Sequence, residues 1–223
     1  MDLDFEVARA ELIDNISTEI KDKRVLAAMR SIPREHFVPR ESRQMAYQDR
    51  PLPIGYDQTI SQPFIIALMT EALELKGGEK VLEVGTGSGY QAAILARLAR
   101  LVITTERVPA LADRANKLLD ELGCNNVEVH RAESTLGWRR GAPYDAIMVT
   151  AAAPKVPPSL LSQLAIGGRM VVPVGSRHIQ ELCKVTKGAK KTSIRNLGGC
   201  RFVALIGPDA WEEEKKGSLR WKH

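Results

Sequence analysis

The spacing of apolar residues divides the chain into two parts that differ in regularity. Over residues 4–30 apolar positions recur at helical intervals, which predicts two short helices. Prolines at positions 33, 39, 51 and 53 interrupt the stretch that follows, so we expect residues 31–60 to be largely loop. Loops of this length inside compact proteins usually serve a function.

From residue 63 onward, short apolar runs alternate with segments of helical periodicity. Pro63 suits the first turn of a helix, and two glycines at positions 77 and 78 end it. The pattern predicts strands over residues 80–84, 101–105, 126–131, 144–150 and 168–174, and helices over 64–75, 89–100, 109–122 and 158–164. Strands and helices that alternate at this spacing favour a parallel, doubly wound α/β sheet.

The alternation ends near the C-terminus. Two predicted strands, 180–186 and 200–206, have no helix-forming stretch between them. The glycine and lysines of residues 187–191 indicate a turn instead. We therefore expect an antiparallel hairpin to complete a mostly parallel, Rossmann-like sheet.

The residue composition indicates a soluble globular protein, which we interpret as a single domain. Of the 223 residues, 44% are hydrophobic and 26% are charged, as is usual for such proteins. We assign residues 1–62 to an N-terminal extension of helices and loop, and residues 63–207 to the core. Residues 208–223 form a charged tail, which we expect to be frayed from residue 212 onward.

The charge and cysteine patterns argue against several classes of partner. The net charge of +5 is spread among acids, and aromatic residues make up 5% of the chain, too few for a nucleic-acid surface. The three cysteines have no metal-ligand spacing, so we expect no metal. With no signal-peptide core and no apolar run long enough to span a membrane, we expect a cytoplasmic protein without a membrane partner. The sequence does not determine the oligomeric state, for which a monomer is the simplest expectation.

The most specific motif is a glycine-rich turn between a predicted strand and a predicted helix, Glu83-Val84-Gly85-Thr86-Gly87-Ser88-Gly89. Such a turn brings backbone N–H groups close to a ligand. A dinucleotide-binding turn has its third glycine one position later, where this chain has Tyr90. The pattern Glu-x-Gly-x-Gly-x-Gly instead predicts S-adenosylmethionine, because the glycines admit its methionine portion and the acid suits its ammonium group.

Acidic residues after the next two predicted strands extend the predicted cofactor site. Glu106, followed by Arg107, lies at the end of the second strand, where a carboxylate can accept hydrogen bonds from both ribose hydroxyls. The alternative for Glu106 is a surface residue that precedes the next helix. Glu133 and Ser134 follow the third strand, where an acid can accept from the adenine amino group.

Several segments together resemble the protein-L-isoaspartate O-methyltransferase family, over residues 24–207. The two most specific are Thr59-Ile60-Ser61-Gln62-Pro63 and Arg201-Phe202-Val203. Further segments lie at residues 32–39, 52–55, 85–93, 142–147, 166–169 and 173–175. The resemblance implies a class I methyltransferase that transfers a methyl group to the α-carboxylate of an isoaspartyl residue. The ester then collapses to a succinimide that can reopen to normal aspartate.

The resemblance also implies roles for residues outside the glycine turn. Ser61 matches the active-site serine of the family, and its hydroxyl can align the acceptor carboxylate; the spacing to Pro63 equally suits a helix N-cap. Thr59 and Ile60 can add backbone contacts to the substrate or to the cofactor. Arg201, Phe202 and Val203 can pair with an extended peptide by strand addition.

Three positions depart from the family pattern. Glu133-Ser134 stand where the family commonly has Asp-Gly, Asp57 replaces a small residue such as glycine, and Ala204 replaces a proline. These departures concern the affinity for cofactor and substrate, and they leave the reaction class intact.

Two other functions compete with this interpretation. The first keeps the cofactor and takes RNA or a small molecule as acceptor, for which salt-dependent RNA binding would be the sign. The second is an NAD-binding or non-enzymatic Rossmann protein. Tyr90 and the terminal hairpin argue against it.

Overall fold

The computed structural model describes residues 4–213. Its first elements are two helices, α1 (Phe5–Ile16) and α2 (Lys23–Ser31), as predicted. The side chains of Asp4 and Asp22 accept hydrogen bonds from the first-turn amides of these helices, which fixes where each begins. Within the described part of the chain, no helix is long and apolar enough to cross a membrane.

The segment predicted as loop contains short regular elements. Two 3-10 turns, Arg34–Phe37 and Arg40–Met45, precede a hairpin of β1 (Leu52–Gly55) and β2 (Gln58–Ile60). The two residues at its turn, Tyr56 and Asp57, both have left-handed backbone with φ of 55° and 57°. Turns that join paired strands so tightly need this conformation, which glycine adopts at least cost. Asp57 therefore occupies a position where glycine would be the easier choice.

A seven-stranded sheet forms the centre of the molecule. Its strands lie in the order β5-β4-β3-β6-β7-β8-β9, with β3 to β7 parallel and β8 and β9 antiparallel. The strands are β3 (Lys80–Val84), β4 (Leu101–Glu106), β5 (Val127–Arg131), β6 (Tyr144–Val149), β7 (Leu164–Gly175), β8 (Gln180–Lys187) and β9 (Thr192–Cys200). The helices of this part are α3 (Pro63–Ala72), α4 (Tyr90–Ala96), α5 (Pro109–Glu121) and α6 (Pro158–Gln163). The predicted doubly wound, mostly parallel sheet with a terminal antiparallel hairpin is confirmed.

The second strand of the terminal hairpin begins earlier than predicted. A tight turn, in which the Gly188 amide donates to the Lys191 carbonyl, lets β9 start at Thr192 and end at Cys200. The predicted strand over 200–206 was therefore wrong. Residues 203–205 instead exchange backbone hydrogen bonds with Ala152, just beyond β6, which carries them away from the hairpin.

The hydrophobic core has two halves, one on each face of the sheet. In the central strand β3, Val81 belongs to one buried cluster and Leu82 to the other. Val102 and Ile103 of β4 divide in the same way. Because successive strand residues point to opposite faces, both faces of the sheet are covered. The loops at the carboxyl ends of the strands remain free to form a site.

Candidate active site

A cavity of about 360 Å³ lies at the carboxyl ends of β3, β4, β5 and β6. Ligands of open α/β sheets bind in this place, because the loops that leave the strands diverge there. The cavity is also lined by Gln58 to Ser61 of the hairpin β1–β2 and its extension, and by residues 203–208. The site thus combines segments from the beginning, middle and end of the chain.

Most of the residues predicted for the site line this cavity. They are Thr59, Ile60, Ser61, Gly85, Thr86, Gly87, Ser88, Glu106, Arg107, Glu133, Ser134 and Val203. Four predicted residues are outside its wall: Glu83, Gly89, Arg201 and Phe202.

The glycine turn after β3 needs its glycines for two different reasons. Gly85 has φ of 102°, and a Cβ there would collide with the hydroxyl of Thr150, which donates to the Gly85 carbonyl over 2.6 Å. Gly89, with φ of 90°, lies against Ala115 of α5, where a Cβ would come within 3.2 Å of the alanine methyl. Glycine is thus needed at position 85, in the cavity wall, because Thr150 lies close to it. At position 89 it allows helix α4 to begin close to α5.

Glu106 is held facing the turn by two backbone amides. Its Oε2 accepts from the Gly87 amide and its Oε1 from the Val108 amide, each over 2.8 Å. The residue is 7% exposed, so it is not the surface glutamate of the alternative interpretation. Each carboxylate oxygen can accept a further hydrogen bond, which leaves capacity for two hydroxyl groups of a ligand.

Glu83 lies below the cavity wall and is fully buried. Its Oε2 accepts from the Thr104 hydroxyl over 2.5 Å, and that hydroxyl lies 2.7 Å from the hydroxyl of Thr86, which lines the cavity. Its Oε1 has no hydrogen-bond partner within residues 4–213. Burial raises the pKa of Glu83 to about 8, the nearby Glu106 charge adds to the rise, and the Thr104 hydrogen bond opposes it. A cationic group in the cavity would favour the ionised form of this unpaired carboxyl group.

Ser61 lines the cavity and does not cap the helix that follows. The N-cap position of α3 is Gln62, which makes no capping bond with its side chain. Asp49 takes this role instead: its Oδ1 accepts from the Phe64 amide over 2.8 Å, and its Oδ2 from the Gln62 side chain over 2.9 Å. The backbone carbonyl of Ser61 accepts from Arg34 over 2.9 Å. The N-cap interpretation of Ser61 was therefore wrong.

Glu133 and Ser134 form a more open part of the wall. The Glu133 carboxylate pairs with Arg140 over 2.9 Å, and its side chain is 38% exposed. Phe202, outside the cavity, donates its amide to the Gln180 side chain over 2.9 Å, while Val203 contributes to the wall. Of the predicted tripeptide, one residue therefore contacts the cavity directly.

The structure adds residues to the site that the motifs did not indicate. Tyr90 and Gln91 directly follow the glycine turn, and Thr150 follows β6. Their position at the carboxyl ends of strands was a usable signal. Residues 204–208 also line the cavity, and no local pattern in the sequence pointed to them.

The first residues of the tail are anchored beside the cavity. The Trp211 amide donates to the Leu205 carbonyl over 2.9 Å, and the guanidinium of Arg177 lies 4.9 Å from the centre of the Trp211 ring. Arg107, in the cavity wall, pairs with Glu213 over 2.8 Å. Residues 212 and 213 make contacts there, fraying of the tail stays a prediction, and residues 214–223 lie outside the described part of the chain.

The fold and the site together define a class of enzyme. A parallel sheet completed by an antiparallel hairpin carries a glycine turn after its central strand and a buried acid after the neighbouring one. The buried Oε1 of Glu83, which has no hydrogen-bond partner within residues 4–213, fits a ligand that carries a positive charge. These features are those of a class I, S-adenosylmethionine-dependent methyltransferase.

Comparison with known proteins identifies the family. A sequence model of the protein-L-isoaspartate(D-aspartate) O-methyltransferase family matches residues 8–210. A protein-L-isoaspartate O-methyltransferase of Syntrophobacter fumaroxidans is 54% identical over 94% of this chain and 99% of its own length. One of Geobacter metallireducens is 51% identical over 96% of this chain and 100% of its own. The chain belongs to the protein-L-isoaspartate(D-aspartate) O-methyltransferase family.

Solved structures show the same architecture. One protein-L-isoaspartate O-methyltransferase superposes with a TM-score of 0.80 at 29% identity and covers 91% of this chain and 67% of that one. A Plasmodium falciparum protein, solved in complex with S-adenosyl-L-homocysteine, superposes with a TM-score of 0.77 at 24% identity. It covers 89% of this chain and 98% of that one and shows the shared fold.

Proposed function

We propose that this chain methylates the α-carboxylate of L-isoaspartyl residues in damaged proteins and peptides, with the cavity as its active site. The resulting ester collapses to a succinimide, which can reopen to normal aspartate. The observation that carries this proposal is the meeting of two motifs in one cavity. The Thr59–Ser61 segment, specific to the family, lies in the same wall as the glycine turn after β3.

Residues of the turn and of the following strand ends are proposed to hold the cofactor. S-Adenosylmethionine supplies a methyl group that its positive sulfonium has already activated. Gly85, Thr86, Gly87 and Ser88 leave room for its methionine portion, since two of the four positions carry no side chain. Glu106, with Arg107 beside it, accepts from the ribose hydroxyls through the oxygens that its two amide contacts leave free.

Two further acids are proposed to complete the cofactor site. Glu133 accepts from the adenine amino group, with Ser134 beside it in the wall. Glu83, which lies outside the cavity wall, favours the positive charge of the cofactor through its own charge and through the hydroxyls of Thr104 and Thr86.

The acceptor carboxylate needs alignment and exclusion of water more than it needs acid–base catalysis. A carboxylate is already ionised at neutral pH, so no general base is required. The Ser61 hydroxyl is proposed to bond the acceptor carboxylate, because the Asp49 cap leaves that hydroxyl free of any structural duty at α3. The backbone of Thr59 and Ile60 borders the same space. Positioning an ionised group in a site that excludes water accelerates its reaction.

The C-terminal side of the site is proposed to bind the rest of the peptide. Val203 contacts the acceptor region, and Arg201 and Phe202 contact the flanking residues. The backbone carbonyl of Val203 already accepts from Ala152, so strand addition here would use the remaining backbone groups.

The substrate assay compares two peptides that differ in one linkage. With labelled cofactor, we expect methylation of an isoaspartyl peptide and almost none of its normal aspartyl twin. An RNA sample in the same series tests the alternative acceptor. Equal labelling of both peptides, or labelling of RNA alone, would contradict the proposal.

We further propose that residues 1–223 act as one domain, as a cytoplasmic monomer without nucleic-acid or membrane partners. The absence of a nucleic-acid partner is supported by the sequence, in which basic residues are interspersed with acids. Gel filtration of the purified chain tests the monomer: elution at twice the chain mass would contradict it.

A further inference from the structure

Arg34 is a fully buried arginine that contacts Ser61, the residue proposed to align the acceptor. Its side chain has no solvent exposure, and its Nε donates to the Ala46 carbonyl over 2.8 Å. Its Nη2 donates to the Ser61 carbonyl over 2.9 Å. The guanidinium carbon lies 5.1 Å from the centre of the Tyr90 ring, and Tyr90 lines the cavity. Arg34 therefore lies directly behind the wall that carries Ser61.

The charge of Arg34 is not balanced by a paired carboxylate. No ion pair found within residues 4–213 includes it, and its Nη1 has no hydrogen-bond partner there. Burial lowers its pKa to about 10, while Tyr90, Tyr47 and Asp49 act in the opposite direction. At neutral pH the guanidinium is thus still charged. A buried charge without a partner is costly, so its presence requires an explanation.

The groups around Arg34 in the described part of the chain fix its position but do not form an ion pair with it. The Arg34 amide donates to the Tyr47 hydroxyl over 3.2 Å, and that hydroxyl donates to the Glu35 carboxylate. Arg9 donates to Tyr47 over 2.7 Å and to Glu35 over 3.2 Å. Arg9 and Glu35 therefore neutralise each other. The charge of Asp49 acts on Arg34, but the Asp49 oxygens bond the Phe64 amide and the Gln62 side chain and form no ion pair with Arg34 within residues 4–213.

We propose that Arg34 is a positioning residue that holds Ser61 in place and supplies the positive charge by which the site favours an ionised acceptor. This inference rests on the proposed function. Because the guanidinium lies behind Ser61 and Tyr90, its charge would act on the substrate carboxylate through the cavity wall and not by direct contact. The methyl ester is neutral, so the same charge favours binding of the substrate over retention of the product.

Two substitutions separate the two parts of this role. Arg34→Lys keeps the charge but cannot hold both carbonyls with the planar geometry of a guanidinium. Arg34→Met removes the charge and both hydrogen bonds. Arg30→Met is the matched control, because Arg30 is an exposed arginine of α2 that pairs with Asp14 and does not contact Ser61.

Each variant is assayed with an isoaspartyl peptide and with an analogue whose α-carboxylate is a neutral carboxamide. Steady-state kinetics give kcat and KM, and competition gives the dissociation constant of the analogue. We expect Arg34→Lys to lower kcat by about tenfold and to keep the preference for the carboxylate. We expect Arg34→Met to lower kcat similarly and to reduce that preference by about tenfold. Arg30→Met should match the wild type in both.

The outcomes are distinguishable. A wild-type kcat in Arg34→Lys would overturn the proposal that Arg34 holds Ser61 in place. Equal binding of carboxylate and carboxamide peptides by the unaltered protein would overturn the role of the charge, even if Arg34→Met does not fold. If the unaltered protein does not methylate the isoaspartyl peptide, the proposed function fails instead.

Discussion

Three glutamates of the site carry the same functional group and differ in what surrounds it. Glu83 is buried, one of its oxygens has no partner among the described residues, and its pKa is raised to about 8. Glu106 is buried and bonded to two amides, while Glu133 is part-exposed and paired with Arg140. Amide donors favour the ionised form of a carboxyl group, and burial without donors favours the neutral form. Each glutamate is therefore suited to a different part of a ligand.

The contribution of Glu106 to cofactor binding can be measured directly. Glu106→Ala removes the proposed acceptor of the ribose hydroxyls and also the acceptor of the Gly87 amide. We expect the dissociation constant of S-adenosylhomocysteine to rise by at least about tenfold in calorimetry, with the fold retained. Glu121→Ala, on the exposed end of α5, should bind normally. Unchanged affinity in Glu106→Ala would remove this residue from the site.

Glu83 should make the cofactor-free protein less stable as pH rises. Its pKa in the folded protein, about 8, exceeds its ordinary value of 4.5, chiefly because of burial. Between these values the unfolded chain has lost a proton that the folded protein keeps, so the free energy of unfolding falls as pH rises from about 4.5 to about 8. In Glu83→Gln, urea titrations at pH 5.5 and 8 should show a smaller fall than in the wild type. An identical fall in both proteins would show that Glu83 does not titrate in this range.

At the scale of elements, the buried strands could be predicted from the sequence more accurately than the exposed ones. The central strand β3 was predicted with its bounds, because its apolar residues face the core on both sides of the sheet. The edge strand β9 was misplaced, since most of its side chains are exposed and its composition is polar. The hairpin β1–β2 was missed because Tyr56 and Asp57 are not the residues that usually mark such a turn.

The start of α3 offers a matched pair of substitutions. Asp49→Ala removes the acceptor of the Phe64 amide and should lower the free energy of unfolding by about 1 kcal/mol. Ser61→Ala should change it by less than about 0.5 kcal/mol, because Ser61 does not cap the helix, and should lower the methyl-transfer rate by about 10–100-fold. Urea unfolding and a single-turnover assay measure both. A stable Ser61→Ala variant with a normal rate would leave Ser61 without a role in the reaction.

At the scale of the molecule, the site is built from segments that are distant in the sequence. Motifs predicted the residues that follow the strands, since a strand, a glycine turn and an acid are local patterns. Leu205 and the residues up to Pro208 were not predicted, because no local pattern records which distant segment will cover a cavity. Their place is set by contacts of Trp211 and Ala152, which arise only in the folded chain.

Cofactor binding should therefore protect all three segments of the cavity wall from hydrogen exchange at the same time. In hydrogen exchange, S-adenosylhomocysteine should increase protection of amides in residues 58–61, 85–88 and 203–207 together, because all three segments contribute to one cavity. Amides of α1 provide the internal control and should change little. Protection confined to residues 85–88 would show that the other two segments act independently of the cofactor.

The position of residues 203–208 in the cavity wall also determines when the site is completed during protein synthesis. A ribosome delivers a chain from its N-terminus, and most of the sheet can assemble before this segment has been made. The cavity wall is complete only after residue 208, and its Trp211 anchor comes later still. A growing chain that already contains Ser61 and the glycine turn thus still lacks part of the cavity wall, until residues 203–208 have been added.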